Sequence, residues 1–236
     1  EFMSDTLRQG IKLYQARKYT DALSFFFSFP PGSADNIDLA YFIGLCYARL
    51  NKYDEALLYL EQVVTNGTDE ERIKQCRLSL AVIYSLTNRS KMAEFELSKL
   101  TEDGIDTEQI QCAKGYVAWY RNEIDKSIDY YENVLDQNPE NSTALNGLGY
   151  ILASTGKDLT RALFLCKKAV DSNPNSAAYL DSLGWVYFKL GLLKEAKTFV
   201  KRALEHNPDN EEIKNHYQEI LSSSSDIKNN DIHRRG

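Results

Sequence analysis

"AAYLDSLGWVYFKLGLLKEAKTFVKRALEHNPDN" (177–210) decides the fold. Gly184 interrupts what otherwise reads as strong helix, at a position where glycine costs roughly 0.8–1.0 kcal/mol relative to alanine. A second small residue, Ala196, follows beyond Gly191-Leu192, and Asn207-Pro208 closes the stretch. Two small residues so placed read as the crossing of two antiparallel helices. Missing side-chain bulk lets the backbones approach, and packing across the crossing offsets the propensity cost.

The same punctuation recurs along the chain. Gly10, Gly44, Ala81, Gly115, Gly149 and Gly184 are spaced by 34, 37, 34, 34 and 35 residues. A second series, Ala22, Ala56, Ala93, Ser127, Ala162 and Ala196, keeps step with spacings of 34, 37, 34, 35 and 34. Turn-favouring pairs separate the two series at Asn51-Lys52, Asn88-Arg89, Asn122-Glu123, Gly156-Lys157 and Gly191-Leu192. Asn138-Pro139, Asn173-Pro174 and Asn207-Pro208 mark unit boundaries, because proline keeps its predecessor out of the helical region. Each unit is therefore predicted as helix, tight turn, helix, short loop. One such unit cannot bury its apolar face, whereas stacked units share a core.

These residues resemble the tetratricopeptide repeat family. Leu180, Leu183, Gly184, Tyr187, Gly191, Ala196, Ala203 and Pro208 match its motif in order and spacing, and Leu145, Leu148, Gly149, Leu152, Gly156, Ala162, Ala169 and Pro174 repeat the match. The resemblance implies an all-α fold, a right-handed superhelical solenoid of stacked antiparallel helix pairs. Three less regular units are expected over 3–107 and three regular ones over 108–210. Glu1-Phe2 ahead of Met3 reads as a cloning scar. Pro30-Pro31 shorten the first unit and make "SFPPGSADN" (28–36) a long loop, while "TNGTDEE" (65–71) adds three residues between the second and third units. A changed stacking angle and ordinary loop growth are both open there. Residues 211–221 are predicted as an amphipathic capping helix with Ile213, Tyr217, Ile220 and Leu221 on one stripe, and 222–236 as a disordered tail or tether.

Several function classes are excluded. The formal charge of −6 argues against a nucleic-acid partner. No run approaches eighteen apolar residues, so no integral membrane segment is expected. Without a charged start, apolar stretch and cleavage site, the chain is expected to be cytoplasmic, or periplasmic or membrane-anchored if an export signal has been removed. Cys46, Cys76, Cys112 and Cys166 contain no C-x-x-C pair and read as buried thiols. His206, His216 and His233 have no nucleophilic or metal-ligand spacing and are assigned structural or solvent roles. The glycines form no phosphate-binding loop. No catalytic residue, cofactor or metal is expected, and the chain is not read as an enzyme.

The resemblance implies that the first helix of each unit lines a concave inner surface. Of the positions three before, one after and four after each small residue, the candidates for partner contact are Tyr14, Tyr41, Leu45, Tyr116, Trp119, Asn146, Tyr150, Asp181, Trp185 and Phe188, with Tyr120 beside Trp119. This surface is aromatic rather than basic, so the carboxylate grip of the family's chaperone-binding branch is not expected. Asn146 and Asp181 are the polar candidates for orienting a bound backbone. The predicted function is a protein-interaction adaptor or scaffold holding a partner peptide or helix in this groove. Tyr116 and Trp185 also read as core residues that pack against the neighbouring unit first and contact a partner second. The alternatives are a self-associating structural module, giving a homo-oligomer, or a periplasmic lipoprotein. Residues 142–221 also resemble the C-terminal repeats of bacterial outer-membrane lipoproteins that tether proteases or assembly factors.

Overall fold

Capping side chains and left-handed turn residues divide this chain into helices. The computed structural model describes residues 2–30, 36–102, 104 and 106–233. Among them lie thirteen α-helices and no strand: α1 (Phe2–Gln15), α2 (Tyr19–Phe27), α3 (Ile37–Arg49), α4 (Tyr53–Asn66), α5 (Glu70–Leu86), α6 (Ser90–Thr101), α7 (Glu108–Tyr120), α8 (Ile124–Gln137), α9 (Ser142–Thr155), α10 (Leu159–Ser172), α11 (Ala177–Lys189), α12 (Leu193–His206) and α13 (Glu211–His233). Asn36, Asp69, Thr107, Asn141 and Ser176 cap α3, α5, α7, α9 and α11 by accepting from a backbone N–H of the first turn. Each cap contributes about 1 kcal/mol.

The second helix of a pair emerges from a tighter device. Arg17, Asn51, Asn88, Asn122, Gly156 and Gly191 all have positive φ, between 58° and 78°. The N–H of the next residue reaches back across the turn: Lys18 to Leu13 O, Lys52 to Tyr47 O, Arg89 to Tyr84 O, Lys157 to Leu152 O and Leu192 to Tyr187 O, at 2.7–3.1 Å. This satisfies a carbonyl left open at the helix end. Asparagine and glycine tolerate that backbone region, which is why the five dipeptides marked these turns. At the other boundary Asn138, Asn173 and Asn207 are extended and end α8, α10 and α12 before proline.

The chain forms two compact units, Glu1–Arg121 and Asn122–Gly236, which divide in the turn of the fourth helix pair. In the first unit, Leu7, Ala22, Phe26, Leu39, Ile43 and Cys46 form one core cluster, and Leu60, Cys76, Leu80 and Tyr84 belong to a second. In the second unit Leu148, Ile151, Leu180, Val200 and Ile220 are buried. All six residues of the second small series are fully buried. A methyl group built on Gly184 would overlap Val200 Cγ2 and lie 3.0 Å from Val200 N and 3.2 Å from Ala196 O. The crossing inferred from sequence is therefore real, with Val200 closing it from the turn beyond Ala196.

Two stretches differ from expectation. The three extra residues near 65–71 do not lengthen a loop. α5 starts eleven residues before Ala81, whereas α3, α7, α9 and α11 start seven before their glycines, so the insertion is an added first turn of α5. At the other end, α13 continues to His233 where the sequence reading ends it at Leu221. No glycine or proline stops it, and the Ser222 and Ser224 hydroxyls turn back onto the carbonyls of Gln218 and Ile220. α2 stops at Phe27 as expected, but Glu1, 234–236 and residues 31–35 of the "SFPPGSADN" loop lie outside the described residues.

Candidate functional site

Residues one repeat apart occupy the same position on successive helices and meet side by side. Arg49 Nε donates to Tyr14 Oη and Gln75 Nε2 to Gln109 Oε1, each at 3.4 Å, across 35 and 34 residues. Arg72 pairs with Asp38, and His216 with Asp181, at the same separations. The face of the first helices is thus a ladder of period-matched contacts.

In the first unit this face is half-buried and aromatic. Tyr14 packs on Tyr19 with ring centroids 5.4 Å apart. Arg72, supplied by the added turn of α5, stands 5.2 Å above the Tyr41 ring and 5.8 Å from Phe42. Burial pushes the Tyr41 phenol up. Leu45 packs on the core. On α7 the helix period brings Tyr116 under Tyr120, with centroids 4.9 Å apart, while Trp119 is half-buried. Away from this face, a cleft of about 600 Å³ opens among α4, α5 and α6. Met92 and Phe95 stand exposed along it, and within it Tyr84 donates to Glu61 and Arg77 to buried Glu96.

In the second unit α9, α11 and α13 converge. Among the described residues, none donates a hydrogen bond to the buried amide oxygen of Asn146. One turn on, Tyr150 donates to Glu212 at 3.1 Å, and burial pushes its phenol far above the usual range, the Glu212 carboxylate adding to the effect. The Asp181 carboxylate lies 2.9 and 3.1 Å from His216 Nδ1. Burial alone would pull the imidazole down, but the bond to Asp181 and the charges of Asp181, Glu212 and Glu219 outweigh it and hold it above its ordinary value. Trp185 stacks on His216 with centroids 4.1 Å apart, donates from Nε1 to Ser154 Oγ at 3.1 Å and carries Lys189 Nζ 4.5 Å above its ring. Phe188 lies 5.1 Å from Trp185.

Asp181 and Trp185 are therefore not open to a ligand in this arrangement. They are 6% and 7% exposed and form the seat of α13. Sequence reasoning placed His216 in a cap outside the repeat register. Its distance of one period from Asp181 was the signal that joins them. Asn146, Tyr150, Asp181, Trp185 and Phe188 sit in the second unit; Tyr14, Tyr41, Leu45, Tyr116, Trp119 and Tyr120 belong to the first.

The four cysteines are buried, and burial pushes each thiol up to about 12. Among the described residues no helix is long and apolar enough to cross a membrane.

Tetratricopeptide repeat models match residues 37–66, 112–177 and 156–220, more than half of the chain between them. A TPR repeat-containing protein of Pseudomonas aeruginosa is 34% identical over 98 residues, which make up 42% of this chain and 17% of that protein's length. Among solved structures, a tetratricopeptide repeat protein from Parabacteroides merdae superposes with a TM-score of 0.72 at 16% identity, over 92% of this chain and 83% of that one. A chain of the APC/C hetero-tetramer Cut9-Hcn1 does so with a TM-score of 0.63 at 15% identity, over 92% and 42% of the respective chains. At these identities the two structures bear on the fold alone.

Proposed function

Because the chain belongs to the tetratricopeptide repeat family, whose members mediate protein–protein interaction and are typically non-enzymatic scaffolds, we propose that it is an adaptor that holds a partner peptide or helix against its first-helix face. The observation that carries this reading is Asn146. Its amide oxygen is removed from water without a donor, which costs about 1–3 kcal/mol unless a partner supplies one. A backbone N–H of a bound peptide is the donor that such a position suits. In the second unit, which holds Asn146, Phe188 on α11 supplies an apolar anchor at low entropic cost; in the first unit, taken by itself, Tyr116, Trp119 and Tyr120 on α7 are the aromatic set of that kind. The cations named on this face are engaged, Arg49 with Tyr14, Arg72 with Asp38 and Lys189 over the Trp185 ring, which favours apolar anchoring over capture of a terminal carboxylate.

The test is affinity capture from a lysate of the source cell, on immobilised wild-type chain and on Tyr116→Ala/Trp119→Ala, with retained proteins identified by mass spectrometry. The reading predicts a protein held by the wild type and lost from a variant of unchanged helicity. Equal retention on both would remove the first-helix face of α7 from the account. Retention of the chain by itself, with a mass that grows with concentration, would replace the adaptor by a self-associating module.

A further inference from the structure

The helix α13 is seated by polar groups that ordinary capping does not need. Ile213 and Ile220 are buried, as the apolar stripe of a terminal helix requires. Between them His216 is 7% exposed, with its imidazole on the 6% exposed Asp181 and its ring against Trp185. Glu212, a turn earlier, accepts from Tyr150. The seat therefore holds one titratable latch on the same face as the surface proposed to bind a partner.

We propose that α13 is a proton-controlled cover on this face: it is held down while His216 carries both ring protons opposite Asp181, and it lifts when one of them leaves. The proposal rests on the binding role assigned to this face, whose access it regulates. The groups around His216 are Asp181 from α11, the Tyr150 phenol from α9, Lys189 above the Trp185 ring, and Glu212 and Glu219 from α13 itself. α12, which also packs against α13, places no ionic group among those that shift it. Three carboxylates face one imidazole, so the doubly protonated ring is the form the seat favours. A folded value above 6.5 gives a contribution that is full below 6.5 and is lost as pH rises through the folded value. Neutral His216 still donates one bond from Nδ1, but a buried carboxylate then faces an uncharged partner, and the charge that pinned the helix is gone. Raising the pH exposes Asp181, Trp185 and Tyr150.

Hydrogen–deuterium exchange of the free, uncleaved 236-residue chain from pH 5.5 to 9 tests this, with α13 protection referred to α12 so that base catalysis cancels. In the wild type the protection ratio of α13 should fall with rising pH, by about tenfold for each unit that the His216 value lies above its ordinary one. The midpoint should coincide with the titration of the His216 ring read by NMR. In His216→Gln, which keeps a neutral donor, the ratio should be independent of pH and equal to the high-pH wild-type level. Should that variant leave α13 unprotected, the coincidence of midpoints in the wild type still decides. A pH-independent ratio in the wild type, a midpoint away from that of His216, or an unchanged pH dependence in His216→Gln overturns the proposal. The readout needs no partner, so it stands or falls separately from the capture experiment that tests the binding role.

Discussion

Gly184 on α11 makes room for Val200 on α12: a single added methyl group would overlap Val200 Cγ2 and press on the Val200 and Ala196 backbone. Gly184→Leu should therefore destabilise the chain by about 1–3 kcal/mol or more, although leucine is the better helix former. Gly184→Ala should also be destabilising, and Val200→Ala should recover part of that loss in the double variant, a coupling that contact across the crossing produces and propensity does not. Urea unfolding followed by circular dichroism reads both.

The Asp181–His216 pair makes a second prediction. Removing the imidazole strands a buried carboxylate, so His216→Ala should cost roughly 3 kcal/mol. The sign of the pH dependence follows from the raised His216 value: the gap between wild type and variant is widest on the acid side of 6.5 and narrows as pH rises through the folded value. Unfolding midpoints at pH 6 and at pH 8.5 measure that gap.

Cys46, Cys76, Cys112 and Cys166 should be chemically quiet in the folded chain. With each thiol pushed up to about 12 by burial, the thiolate is scarce at pH 8 and shielded from reagent. Iodoacetamide should label all four rapidly in denaturant and none of them on the same timescale without it, as counted by intact mass.

The helix pairs were legible because their punctuation is local. Asn51, Asn88, Asn122, Gly156 and Gly191 are residue types that accept positive φ, and three Asn-Pro steps end helices by sterics alone. Arg17 makes the same turn without any such signal, since arginine has no preference for that conformation. The added turn of α5 was hidden for a related reason: "DEERIK" (69–74) is equally at home in a loop or on an exposed helix end, and only the positions of Asp69 and Arg72 in space decide it. At the candidate site the aromatic positions could be read from repeat arithmetic, but their occupancy could not. Trp185 and Asp181 look like groove residues until His216 is brought onto them by a contact spanning 35 residues. Extending the period by one more repeat, past the last Asn-Pro step, would have found it.

The central claim is that partners bind on the first-helix face. The most direct measurement takes a peptide selected by display on the intact chain and compares its affinity for the wild type, Asn146→Ala, Tyr116→Ala/Trp119→Ala and Phe164→Ala, the last altering a side chain 64% exposed on the second helix α10. The account predicts a loss of about tenfold or more, some 1.4 kcal/mol, in Asn146→Ala for a peptide seated on the second unit or in Tyr116→Ala/Trp119→Ala for one seated on the first, and none in Phe164→Ala. Loss confined to Phe164→Ala, with the other two binding as the wild type does, would contradict it.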